Sequence, residues 1–386
     1  MALQGSEARV QMPASCNKGE DNNALAARQG RPAASVVIPT YRRPDCVLTA
    51  LESVIAQQPD FPFEVLVLDN GCEKALEAQV RAVAMRTAIG VHYIAVTRIG
   101  LHNGRHTGAL NAKAEIVVFI DDDIVADQGR LQAIVDAFED PSVCVAGGPI
   151  LPLYRGDQPA WLEAFWRHSK GNKKWCGPLT LMDYGEQECN IDPRLIWGAN
   201  FAIRKARLIA LGGFHPDGFP WELRRYRGDG ETALSRAVRG QGLRGVYQPR
   251  AVVYHAIPAD RLTPEYFERR YFLQGISDSF TEIRRSALVA GSRIGAVCLA
   301  LQSVYLHLRE LRLRTERSLS CLLARNAHHS VRDAVSQAYL AGHRYHLDEV
   351  RSDPELLKWV LQADYLNTQR SPSWPRRPTR RADRGT

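Results

Sequence analysis

Residues 115–127 read Glu-Ile-Val-Val-Phe-Ile-Asp-Asp-Asp-Ile-Val-Ala-Asp, and five apolar residues, Ile116 to Ile120, run directly into three carboxylates. A continuous Ile/Val/Phe run of this length, following the helix-like residues 109–114, predicts a strand buried on both faces of a parallel sheet. In open α/β sheets ligands gather at the carboxyl ends of the strands, which is where these acids fall. Alternation along an extended chain predicts that Asp121 and Asp123 share one side and that Asp122 takes the other. Two convergent carboxylates repel unless a cation lies between them, and hard oxygen ligands suit magnesium or manganese. A solvated acidic turn is the competing reading, and the rest of the chain must decide between them.

Working towards the N-terminus, the same grammar recurs. Residues 34–38 (Ala-Ser-Val-Val-Ile) predict a first strand, closed by Pro39-Thr40-Tyr41-Arg42-Arg43-Pro44 and followed by a helix over 46–57. Residues 64–68 predict a second strand ending in the turn Asp69-Asn70-Gly71, with a helix over 74–88. A third strand, 91–96, leads into the glycine-bearing segment 98–108, which opens the helix before the carboxylate strand. Strand and helix thus alternate four times at crossover spacing, a nucleotide-binding α/β pattern. Thr40, Arg42 and Arg105 offer donors to phosphate, and Asp69 offers an acceptor to a base or ribose. Neither Gly-x-Gly-x-x-Gly nor a Walker loop is present, so the dinucleotide and P-loop readings fall away.

The chain has 386 residues, 45% apolar and 24% charged, enough for a substantial core. Its formal charge of +8 is partly a property of its end, because six arginines lie between Arg370 and Arg384. That tail, like residues 1–33, lacks apolar periodicity and is expected to be disordered. No motif points to nucleic acid, and none is expected as a partner. Eight cysteines without Cys-x-x-Cys spacing suggest reduced thiols and a cytoplasmic setting. No secretory pattern or long uncharged apolar stretch is evident. Residues 287–308 fit an amphipathic helix, packed on the protein or lying peripherally on the inner membrane surface.

Taken in order, Val-Ile-Pro-Thr-Tyr-Arg-Arg (37–43), Val-Leu-Asp-Asn-Gly (67–71), Gly-Leu-His-Asn-Gly-Arg-His-Thr-Gly (100–108) and Phe-Ile-Asp-Asp-Asp (119–123) resemble the family 2 glycosyltransferases of GT-A fold. The resemblance covers about residues 34–275, divided near 127 into nucleotide-binding and acceptor-binding halves, with 276–369 as a helical C-terminal region. It implies that Pro39, Thr40, Tyr41, Arg42, Asp69, Arg105, Asp121 and the adjoining Asp122 hold the nucleotide, and that Asp121 and Asp123 bind Mn2+ or Mg2+. His106 departs from the family's usual Asn, and its role stays open.

Beyond the carboxylates a helix is expected over 129–139 and a strand over 143–150, then a long irregular stretch, 151–195. The aromatics of that stretch, Trp161, Trp166, Trp175 and Tyr184, either stack on a sugar or form a local core. Residues 195–204 look like the family's acceptor-side strand, with Trp197 and Asn200 facing the acceptor. The family places its catalytic base three residues before a helical leucine, which gives Glu231 from Leu234, with Asp229 as the rival and simple helix capping as the bland reading. His255, at the end of a strand over 252–255, fits the place of a third metal ligand, or serves as a hydrogen-bonded structural residue. A helix is expected to start at Pro354.

These readings imply metal-dependent, inverting transfer from a nucleoside-diphosphate sugar to a hydroxyl of a sugar, lipid-linked or other acceptor. A non-catalytic sugar-nucleotide-binding protein is the alternative from another class. An Asp-x-Asp phosphohydrolase fits less well because three strands precede the motif, and a nucleotidyltransferase because the first loop lacks glycines.

Overall fold

The structure, a computed structural model, describes residues 31–170, 173–289 and 327–366. The expected disordered ends and most of the amphipathic segment 287–308 lie outside the described residues. Strands β1 (Ala34–Thr40), β2 (Phe63–Asp69), β3 (Gly90–Ala95) and β4 (Ile116–Ile120) alternate with helices α1 (Pro44–Ile55), α2 (Lys74–Ala84) and α3 (Leu101–Asn111). β1 pairs in parallel with both β2 and β4, and β2 with β3. The period-two alternation is visible in the packing. Val36, Ile38, Val65, Val67, Val118 and Ile120 enter one core, while Val37, Leu66, Leu68, Val117 and Phe119 enter the core on the opposite face. Both faces being covered is why these strands read as unbroken apolar runs.

The chain continues through β5 (Ile124–Ala126), α4 (Arg130–Asp136), β6 (Val143–Gly147) and β7 (Ile150–Tyr154). The stretch expected to be irregular is in fact ordered into β8 (Arg167–Ser169), β9 (Lys173–Cys176), β10 (Leu181–Asp183), β11 (Cys189–Ile191) and three 3-10 turns. Strands of three or four residues on antiparallel partners carry too little periodicity to register in sequence. The local-core reading of its aromatics holds for Trp161, which meets Phe165 and Phe267 edge-on, and for Trp175 against Tyr184.

Then come β12 (Asn200–Arg204), α5 (Lys205–Ala210), α6 (Glu231–Gly240), β13 (Arg244–Tyr247) and β14 (Val253–Ile257). The main sheet has the order β11-β13-β6-β12-β4-β1-β2-β3, and a second runs β5-β14-β7-β10-β9-β8. β12 is antiparallel to both β4 and β6, so the sheet is mixed.

A long helix α7 (Pro264–Val289) crosses the boundary expected at 275 and packs along α8 (Ala327–Ser352), with α9 (Pro354–Leu361) closing the described chain. The two long helices touch at backbone level. A β-carbon on Gly275 would strike the Tyr339 carbonyl, and one on Gly342 would strike the carbonyl of Phe272. Tyr339 Oη donates to Asp278 across the pair, and Trp359 Nε1 donates to Tyr226 O, tying α9 to the sheet domain. Among the described residues no helix is long and apolar enough to cross a membrane, and Cys46, Cys144, Cys176 and Cys189 carry free thiols.

Candidate active site

The three acids at the end of β4 do not alternate as expected, because the strand stops at Ile120 and Asp122 and Asp123 form a turn. Asp121, the most exposed with 27% of its side chain accessible, accepts from Arg105 Nη2 at 3.0 Å. Asp122 is buried, takes the Thr40 hydroxyl at 2.6 Å and pairs with Arg43. Burial pushes the Asp122 carboxyl up, and the charge of Arg43 only partly offsets that. Asp123 receives Arg43 Nη1 at 2.9 Å and Arg261 Nη2 at 2.6 Å on the same oxygen, Oδ2. Burial works to raise its carboxyl too, but the His255 ring and the guanidinium groups of Arg261 and Arg43 outweigh it and hold it well below the usual carboxylate range. Asp122 and Asp123 therefore share Arg43, and Asp121 faces elsewhere.

His255, on β14, is buried with Nδ1 2.9 Å from Leu179 O, an atom that can only accept, so Nδ1 carries the proton. Its Nε2 lies 2.9 Å from Arg261 Nη1, which can only donate, and 3.3 Å from Asp123 Oδ1. Nε2 thus lies between a guanidinium group and a carboxylate oxygen. Two fixed acceptor atoms at that spacing suit a hard or borderline cation, so the pair Asp123 and His255 fits a divalent metal. The expected trio does not assemble, however. Among the described residues no group of three or more His, Cys, Asp and Glu side chains converges as a metal site, because Asp121 is drawn to Arg105.

A cavity of about 180 Å³ lies over these groups, lined by Pro39, Asp121, Asp122, Asp123, His255 and Arg270 among others. A second, of about 130 Å³, shares Pro39, Arg43, Leu101 and Asp122 with it and adds Thr40 and Tyr41. Of the expected nucleotide contacts, Pro39, Thr40 and Tyr41 line this cleft. Arg42 does not: it is exposed, in the left-handed region at φ 55°, with its guanidinium over the Tyr41 ring. Asp69 is also withdrawn. It is fully buried, and its carboxylate accepts from the backbone N–H of Gly71 and Glu73 and from Tyr93 Oη, which closes its own turn onto α2. An aspartate before Asn-Gly is a natural turn former, and that local use removes the oxygens expected to meet a base or ribose.

On the acceptor side the two acids separate clearly. Glu231, at the first residue of α6, keeps 25% of its side chain accessible, accepts from Gly198 N–H at 3.2 Å and lies 3.5 Å from Arg105 Nη1. Gly198 lets the Arg105 guanidinium approach closely, since a β-carbon there would meet it. Asp229 is buried and saturated by His215 Nδ1 at 2.6 Å, Thr281 Oγ1 at 2.7 Å and Arg236 Nη1 at 3.1 Å. Burial raises its carboxyl, but those partners bring it below the usual range. It pins α6 to α7, leaving Glu231 as the accessible acid.

Asn200 does not face an acceptor. It is buried, with Oδ1 taking Arg130 Nε and Nη2 and Nδ2 donating to Pro149 O and Ala251 O. Trp197 is partly buried against the core and lines neither cavity. His106, whose role was open, accepts the Phe214 N–H on Nε2 at 2.8 Å, and burial lowers its affinity for a proton. Arg43, Arg261, Arg270 and Tyr266 were not anticipated. Arg43 is signalled only by adjacency to the first loop, and Arg261 by standing six residues after His255, which the turn Ala259–Arg261 folds back onto it.

Residues 35–207 match the family described as Glycosyl transferase family 2 and form a family 2 glycosyltransferase domain. The expected fold class, an α/β GT-A domain with a helical C-terminal part, is borne out. The chain is 24% identical over 247 residues to a glucosyl-dolichyl phosphate glucuronosyltransferase of Haloferax volcanii, covering 63% of this chain and 75% of that one. It is 25% identical over 210 residues to a validoxylamine A glucosyltransferase of Streptomyces hygroscopicus subsp. limoneus, covering 49% of this chain and 45% of that one, so it spans less than half of that relative. Among solved structures it is similar to a mannosyltransferase from Pyrobaculum calidifontis in complex with GDP-Man and Mn2+, at 19% identity and TM-score 0.48, covering 82% of this chain and 87% of that chain.

Proposed function

We propose that this glycosyltransferase moves a sugar from a nucleoside-diphosphate sugar to an acceptor hydroxyl with inversion, in a reaction that depends on Mn2+ or Mg2+. The observation that carries the reading is the position of Glu231, an accessible carboxylate joined through Arg105 to Asp121 at the rim of the cleft. In this reaction the acceptor oxygen forms a bond to the anomeric carbon, the bond from that carbon to the diphosphate breaks, and Glu231 receives the acceptor proton. A single base, with no nucleophile assigned on the other face, gives inversion. Asp123 and His255 would hold the metal ion, which supplies charge neutralisation for the departing diphosphate when bound. Thr40 and Arg43 fix Asp122 and the first loop, and Pro39, Thr40 and Tyr41 wall the nucleotide cleft. The acceptor is a hydroxyl compound of the sugar or lipid-linked class.

The test is release of nucleoside diphosphate from a panel of nucleotide sugars with a mixed acceptor pool, with Mn2+ and with chelator, for the wild type and Glu231→Gln. Metal-dependent release that Glu231→Gln abolishes supports the reading. Tight binding of a nucleotide sugar with no turnover on any acceptor would instead favour a binding protein.

A further inference from the structure

Arg261 makes a two-pronged contact that the proposed reaction does not by itself require. Its Nη2 donates to Asp123 Oδ2 at 2.6 Å and its Nη1 to His255 Nε2 at 2.9 Å, so one guanidinium edge spans both side chains that suit a metal. The two acceptors are fixed from below: Asp123 also takes Arg43 Nη1, and His255 is anchored by its bond to Leu179 O. Both are almost fully buried, with 8% and 6% of their side chains accessible, whereas Arg261 is 19% accessible and leaves from a three-residue surface turn. The movable partner is the arginine.

We infer that Arg261 is a cation placeholder: its guanidinium group must let go of Asp123 and His255 for a divalent ion to be held there, and once released it turns to the phosphates of the donor. This rests on the metal-dependent reading above. The same lone pair of Nε2 cannot serve both an N–H donor and a metal ion, so the two occupants exclude one another at His255. Release is costly when the guanidinium gains nothing in return, and a diphosphate in the cleft supplies that return. Arg270, on α7 at the edge of the same cavity, makes no hydrogen bond, ion pair or ring contact among the described residues and adds a second uncommitted cation for the same anion. Metal and nucleoside diphosphate therefore bind with positive coupling, and because coupling is reciprocal each raises the affinity of the other by the same factor. Arg261 is a positioning residue in this scheme, and the coupling is its signature.

The experiment is titration of Mn2+ into the full chain by calorimetry, alone and with GDP or UDP present, for the wild type, Arg261→Ala, Arg261→Met and Asp123→Asn. Arg261→Met keeps the apolar stem if Arg261→Ala does not fold, and melting curves establish that each variant is folded. With no nucleotide, Arg261→Ala or Arg261→Met should bind Mn2+ about tenfold more tightly than the wild type, the worth of one charge-assisted hydrogen bond. The gain in Mn2+ affinity from added nucleotide should shrink in the same variants, and Asp123→Asn should bind Mn2+ poorly throughout. If folded Arg261 variants bind Mn2+ no better than the wild type while the wild type still couples Mn2+ to nucleotide, the placeholder idea is wrong and the metal reading stands. If no protein binds Mn2+ with or without either nucleotide, the metal reading fails and takes this inference with it.

Discussion

Glu231 Oε2 lies 3.5 Å from Arg105 Nη1, and the other terminal nitrogen of that buried guanidinium holds Asp121. A single cation thus sets the distance between the acid at the start of α6 and the acids at the end of β4. Glu231→Gln keeps the shape and much of the hydrogen bonding but removes the proton acceptor. Transfer should fall by about 10²–10⁴-fold with donor affinity nearly unchanged. Rates and nucleotide affinities of the purified variant check this, and normal turnover would remove Glu231 from the chemistry.

Asp229 behaves differently because His215, Thr281 and Arg236 saturate it. Asp229→Asn should cost on the order of 3 kcal/mol of stability, the penalty of breaking a buried charge cluster. Turnover per folded molecule should stay near that of the wild type. Urea unfolding with an activity assay at low temperature separates the two effects, and a folded but inactive variant would overturn the assignment.

Arg130 is buried with its hydrogen bonds directed to Asn200 Oδ1 rather than to a carboxylate, and burial lowers its guanidinium to about 9. Asn200→Ala should therefore destabilise the fold by about 2–3 kcal/mol, because a buried charge-bearing donor loses its acceptor. Arg130→Met in the same chain should restore part of that loss. A double-mutant cycle from urea midpoints measures the coupling, and simple additivity would show that the two side chains act independently.

His346 sits between α7 and α8 with Nδ1 3.0 Å from Ser279 Oγ, and burial, with a smaller contribution from His343, lowers its pKa to about 3. The unfolded chain takes up this proton near the ordinary histidine value of 6.5 while the folded chain resists it, so stability falls as pH drops from 6.5 towards 3 and is unaffected above that window. His346→Gln has no such proton to gain. The stability advantage of the wild type over it should shrink by about 1.4 kcal/mol per pH unit inside the window. Unfolding curves between pH 7.5 and 4.5 test this, and a constant difference would refute it.

Sequence conveyed most about residues whose neighbours are local. The apolar run of β4 was read to the residue, and α9 begins at Pro354 as expected, since a buried strand and a helix start each carry their signal in a few adjacent positions. Both members of the metal-suited pair were named from sequence, but their meeting was not legible, because Asp123 and His255 are 132 residues apart and come together only through the pairing of β14 with β5. Asp69 and Asn200 were misread for one reason. Each belongs to a motif that suggests a ligand, yet each spends its polar atoms on nearby backbone or on Arg130, and nothing in a linear motif tells a side chain that faces a cleft from one that faces inward. The short strands between β7 and β12 were invisible because their partners, not their periodicity, make them strands.

The order of the main sheet bears on how the chain is made. β1, β2, β3 and β4 pair among themselves as they leave the ribosome, but the free edge of β4 stays uncovered until β12 arrives about 80 residues later, and β6 waits for β13 beyond that. Arg105 must meanwhile wait for Glu231, its second anion. Closing such distant pairings is slow, so a half-made chain presents a hydrophobic strand edge to the cell. The nascent protein is therefore most open to aggregation after β4 has emerged and before β12 has.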